Sequence, residues 1–90
     1  MARPIRIVHV TSDFRKAFGK LPHHIQSLAV KKDLLFRQDA FASFLQTHKL
    51  KGPLDGYWAY SVNHEYRVIL RFVSDHEVLY YDIGTHSIYR

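Results

Sequence analysis

A chain of 90 residues has room for one domain, residues 1–90, burying roughly 60–65% of its unfolded surface, and its 47% apolar and aromatic content with only short charge runs excludes long disorder. The formal net charge of +5 favours a polyanionic partner, because each phosphate contact by Lys or Arg releases condensed counterions. The absence of cysteine excludes disulfides, thiol catalysis and thiolate metal sites; with no leader-like apolar run and no stretch near ~20 apolar residues, a soluble chain of the reducing cytoplasm with no membrane partner is expected.

Residues 5–10 are β-branched and partly alternating, which predicts a strand, and Thr11, Ser12 and Asp13 follow as a helix N-cap signal. A first helix then runs on Phe14, Ala17, Phe18 and Leu21, weakened by Gly19, and Pro22 suits the opening turn of a second. Ile25, Leu28, Ala29, Leu35 and Phe36 keep the 3.6-residue period of that second helix, with Lys32 as the one misfit. Asp39 is placed to cap a short helical turn holding Phe41, Phe44 and Leu45, and Gly52, Pro53, Asp55 and Gly56 break any regular pattern after it.

The remainder reads as strand: residues 57–62, 66–73 and 78–83 are rich in β-formers and are separated by 63–65 and 74–77. The fold expected is α+β, with an N-terminal strand and a two-helix hairpin packed on a twisted, mainly antiparallel sheet of about four strands. Uniform alternation pairs Phe72 with Leu79, Leu70 with Tyr81 and Val68 with Ile83 on an apolar face. Trp58, Tyr60 and Val62 join that layer. The opposite face then carries Arg71 beside Tyr80, Ile69 beside Asp82, Arg67 beside Gly84, and Ser61 across from Arg67.

Seven histidines invite a metal reading, but His9, His23, His24, His48, His64, His76 and His86 show no metal-ligand spacing, so no metal or other cofactor is expected. His23 and His24 fall at the exposed start of the second helix.

Four segments in order carry a resemblance: His48, Lys49, Leu50, Lys51 and Gly52; Gly56, Tyr57 and Trp58; Glu65, Tyr66, Arg67 and Val68; and Ile83, Gly84, Thr85 and His86, followed by Tyr89. This layout resembles the RelE/ParE superfamily of toxins from type II toxin–antitoxin modules, especially its ribosome-dependent mRNA endonuclease branch. The resemblance implies a toxin that holds mRNA in the ribosomal A site. There it cleaves by attack of a ribose 2′-hydroxyl on the adjacent phosphate, without metal, and it is held inactive by a cognate antitoxin protein. Such a site must supply alignment, charge stabilisation, a base and an acid.

On that resemblance Arg67 is the transition-state cation, its planar fork suiting two phosphate oxygens; pairing with Asp82 or Glu65 is its other reading. His86 is the general acid, an imidazole being able to donate a proton near neutral pH. His48 is the candidate base, with Lys51 and Glu65 as rivals. Lys49, Lys51, Glu65, Arg71 and Tyr89 are assigned to substrate binding. Ser61 stands where one subfamily carries a further catalytic histidine. Two alternatives stay open, a gyrase-poisoning toxin of the ParE type and an inactive relative that only binds antitoxin, and the sequence leaves monomer or antitoxin-bound heterocomplex undecided.

Overall fold

A computed structural model describes residues 2–85. Strand β1 (Ile7–Val10) leads into helices α1 (Ser12–Gly19) and α2 (His23–Gln38); a 3₁₀ turn (Ser43–Leu45), β2 (His48–Lys49) and a second 3₁₀ turn (Gly52–Leu54) follow. Strands β3 (Trp58–Ser61), β4 (Arg67–Ser74) and β5 (Glu77–Gly84) complete one sheet of order β1-β5-β4-β3-β2. Only β1 runs parallel to its neighbour, β5. The sheet therefore has five strands, one more than the sequence pattern suggests, because the polar pair His48 and Lys49 carries no β signature and is held by its ladder to β3.

The first helix starts where its cap signal stands: Thr11 Oγ1 accepts the Phe14 N–H at 2.9 Å, satisfying one of the orphan donors of the first turn. Pro22 occupies the N-cap of α2 rather than its first turn. Asp39 caps no following helix. It closes α2, and its carboxylate accepts the backbone N–H of Arg3 at 3.0 Å and of Phe41 at 3.1 Å, while the 3₁₀ turn begins after Ala42. Those two backbone donors, led by Arg3, hold the Asp39 carboxyl below the usual aspartate range.

Ile25, Ala29 and Phe36 of α2 press on Tyr60, Val62, Val68, Leu70, Val78, Tyr80 and Ile83 to form the core. The Phe36 and Tyr60 rings stack with centroids 4.5 Å apart. The polar ends of the core tyrosines run in a chain: the Tyr60 hydroxyl donates to the Tyr80 hydroxyl at 3.0 Å, and Tyr80 donates to Asp33 Oδ1 at 2.7 Å. Asp33 in turn receives Arg37 Nε. A smaller aromatic group of Phe41, Trp58 and Phe72 lies beside the core, with the Arg3 guanidinium 4.8 Å from the Phe72 ring centroid.

The β4–β5 register departs from uniform alternation in its middle. Arg67↔Gly84, Val68↔Ile83 and Ile69↔Asp82 form as expected, but Leu70 faces Tyr80, Arg71 faces Leu79 and Phe72 faces Val78. The expected pairs Phe72–Leu79, Leu70–Tyr81 and Arg71–Tyr80 are therefore absent. Two irregularities account for this: β5 carries one extra residue at Tyr81, β4 one extra at Val73, and the second restores the register at Ser74↔Glu77. The slip puts Val78 and Tyr80 into the core and leaves Tyr81 and Val73 on the surface. Thr11 secures the bulge, with its N–H donating to the Tyr80 carbonyl and its hydroxyl to the Tyr81 carbonyl at 2.7 Å. Among the described residues, no helix is long and apolar enough to cross a membrane.

Candidate functional site

Helices cover one face of the sheet, and His48, Arg67 and Arg71 lie on the other. Side chains directly across an antiparallel ladder share a face, so His48, Ala59, Ile69 and Asp82 form one row and Ser61, Arg67 and Gly84 the next. Ala59 and Ile69 are buried although they lie opposite the main core. The face thus has an apolar floor with His48 and Arg67 at diagonal corners. The spacing of two strands and two residues puts their Cα atoms about 12 Å apart, close enough for both long side chains to reach one nucleotide.

His48 is exposed and its ring is aimed by a single contact: Nδ1 lies 2.8 Å from the Gln46 carbonyl oxygen. A carbonyl only accepts, so Nδ1 carries the hydrogen, and in the neutral ring Nε2 keeps its lone pair for an incoming proton. Gln46 holds that carbonyl in place from a left-handed backbone, φ 53°, a conformation that costs a non-glycine residue energy and is retained where the surroundings require it. Its side-chain Oε1 accepts a long bond, 3.4 Å, from the Ser61 hydroxyl beside Arg67. Gln46 is a contributor that sequence reasoning missed, since a glutamine between helical and broken segments carries no signal; only its backbone conformation marks it.

The other expected residues are distributed unequally. Arg67 is half-buried in β4, two residues after the exposed turn residue Glu65. Asn63 shapes that turn by accepting the N–H groups of Glu65 and Tyr66 at 2.9 and 2.8 Å. Arg71 is exposed on the same face, paired with Leu79. Lys51 is exposed at the mouth of the loop that joins β2 to β3. Gly52 at φ 68° and Gly56 at φ 92° give this loop two left-handed corners that other residues rarely adopt. Lys49, one residue from His48, faces the other way: it pairs with Trp58, and its ammonium sits 5.8 Å from the indole centroid on the helix side. Tyr81, displaced by the bulge, sets its ring 5.0 Å from Tyr57, an aromatic pair that uniform alternation did not foresee. His86 and Tyr89 lie outside the described residues.

Among the described residues, no group of three or more His, Asp or Glu side chains is arranged to hold a metal ion. Among the described residues the site offers a proton acceptor at His48, a guanidinium at Arg67 and no nucleophile of obvious strength. That set can act on a substrate bringing its own nucleophile and an anionic centre.

No protein-family model matches this sequence, nor does any curated protein. Solved structures do. The toxin–antitoxin complex RelBE2 from Mycobacterium tuberculosis superposes with a TM-score of 0.76 at 19% identity, covering 93% of this chain and 94% of the other. The YoeB/ParE toxin from Agrobacterium tumefaciens gives 0.73 at 16% identity, with 90% and 99% covered. The DinJ–YafQ toxin–antitoxin complex of E. coli gives 0.70 at 16% identity, with 92% and 94% covered. The chain has the fold shared by RelE/ParE-superfamily toxins.

Proposed function

We propose that this chain is the toxin of a type II toxin–antitoxin module and an endoribonuclease that cuts mRNA in the ribosomal A site. The 2′-hydroxyl of the nucleotide before the scissile bond attacks the adjacent phosphorus, and the 5′-oxygen leaves, giving a 2′,3′-cyclic phosphate and a 5′-hydroxyl. His48 Nε2 takes the 2′-hydroxyl proton, Arg67 meets the charge that develops on the phosphate oxygens, and His86 protonates the leaving oxygen. Lys51, Glu65, Arg71 and Tyr89 hold the flanking chain, with Lys51 and Glu65 the alternative bases. Lys49 in its observed orientation serves the Trp58 packing instead.

The observation that carries this reading is the pairing of an imidazole whose Nε2 is uncommitted with an arginine on the same sheet face. Attack by the substrate's own 2′-hydroxyl uses both, the imidazole as base and the guanidinium as counter-charge, whereas poisoning of gyrase has no need of an acid–base group. The likeness to two toxin–antitoxin complexes supports an antitoxin partner.

Induced expression of the wild type and of the variants Arg67→Ala, His48→Ala and His86→Ala, with 5′-end mapping of cellular mRNA, tests the proposal. Codon-phased cuts that fall at least about 100-fold in Arg67→Ala, as expected for loss of a charge-stabilising group, support it. Growth arrest with intact mRNA and broken DNA sinks it in favour of a gyrase target. Retained cutting in His48→Ala with loss in Lys51→Ala or Glu65→Ala moves the base to that residue.

A further inference from the structure

The ladder between β2 and β3 ends after two residue pairs, at His48↔Ala59, so among the described residues no strand covers the outer edge of β3 beyond that point. A cleft of about 350 Å³ opens there, between β3 and its turn, the middle of α2 and the Ser43–Leu45 turn. That volume lies within the range of small-ligand pockets, roughly 300–1,000 Å³.

We propose that this cleft binds one nucleotide of single-stranded RNA adjoining the nucleotide at His48, its base against the Phe44 ring and its phosphate on Lys32. Phe44 is 54% exposed at the cleft wall. The Lys32 ammonium stands 5.7 Å from that ring's centroid. Lys32 is also the residue that breaks the apolar period of α2, so a cation occupies a place where packing alone asks for an apolar side chain. No carboxylate lines the cleft among the described residues.

Two amides complete it. Asn63 has its oxygen taken by the N–H groups of Glu65 and Tyr66, which fixes its orientation and leaves its NH₂ group to donate. Gln46 has its side-chain oxygen 3.4 Å from the Ser61 hydroxyl, a long contact that leaves its NH₂ group to donate. An exposed ring, a cation and amide donors are the elements that hold unstacked bases and backbone phosphates of single-stranded RNA. Gln46 also joins the two places, since its carbonyl orients His48 while its side chain lines the cleft. The cleft's position relative to the cut rests on the proposed function; its binding of a nucleotide does not.

The test is an NMR titration of the phenylalanine ring signals with a 2′-O-methyl RNA trinucleotide, which cannot be cleaved by its own 2′-oxygen, using wild type, Phe44→Leu and Lys32→Gln. Saturable shifts of the Phe44 ring are expected. Removing one base–aromatic stack in Phe44→Leu weakens affinity about 5- to 150-fold. Lys32→Gln weakens binding and lowers the log–log salt slope by about 0.7. Binding that leaves the Phe44 signal unmoved, equal affinity in Phe44→Leu, or no binding to the folded wild type overturns the proposal. Trinucleotide binding through Phe44 in a protein that cuts no mRNA refutes the endonuclease reading and leaves the cleft standing; mRNA cutting without it refutes the cleft alone.

Discussion

Replacing Tyr80 by Phe removes one oxygen atom from the core and breaks two bonds of unequal weight. The Tyr80 hydroxyl donates to Asp33 Oδ1 at 2.7 Å, a bond to a carboxylate and therefore worth about 1.5–3 kcal/mol. It also accepts from Tyr60, which is 0% exposed and has no water to turn to. Stranding that donor costs about 1–3 kcal/mol. Because Asp33 lies at the edge of the core with its side chain 22% exposed and keeps its bond from Arg37, the lower ends apply and the sum is about 2.5 kcal/mol. Tyr60→Phe removes only a donor, and Tyr80 keeps its bond to Asp33, so about 1 kcal/mol is lost. The double variant strands nothing and is no less stable than Tyr80→Phe alone, which makes the coupling about 1 kcal/mol. Urea unfolding followed by the fluorescence of Trp58, the only tryptophan, reads all three with unchanged slopes. Equal costs for the two single variants, or an additive double variant, refute the reasoning.

The same two phenols resist alkali. Burial pushes the Tyr60 hydroxyl up, and burial followed by the neighbouring Tyr60 and Asp33 pushes Tyr80 up further. Both folded values stand above the unfolded value of about 10, so the stability they confer is whole below that pH and is lost as pH rises beyond it. Phenolate absorbance from Tyr60 and Tyr80 should appear only together with unfolding; reversible ionisation of both near pH 10 in the folded protein contradicts this. Thr11→Val removes the cap of α1 and the anchor of the Tyr81 bulge together. A loss of about 1–2 kcal/mol is expected, with Thr11→Ser restoring most of it, and amide exchange should quicken at residues 80–82; unchanged exchange there removes Thr11 from the bulge.

Both helices, the N-terminal strand and the three long strands were legible because each has a period or a cap that propensity alone supports: Thr11 before Phe14, Ile25 through Phe36, the run from Arg67 to Val73. The register was legible where Arg67, Val68 and Ile69 meet Gly84, Ile83 and Asp82, and illegible between, because the run Val78, Leu79, Tyr80, Tyr81 is apolar at every position. Which of those tyrosines turns inward is decided by Asp33 and Thr11, more than 40 residues away in sequence. Strand β2 was missed for a related reason: two polar residues form a strand only because β3 is already there to pair with. That pairing also separates Lys49 from His48, a distinction the motif reading, which treats neighbours as a cluster, does not draw.

A single atom in the substrate offers the most direct test of the central claim that this sheet face cuts RNA through the RNA's own 2′-hydroxyl. Ribosomes programmed with an mRNA carrying one 2′-deoxynucleotide immediately before the mapped cut should leave that position intact. The all-ribose message should yield fragments ending in a 2′,3′-cyclic or 3′-phosphate and beginning with a 5′-hydroxyl. Continued cutting at the deoxy position means that the nucleophile is not the substrate's, and contradicts the roles proposed for His48 and Arg67.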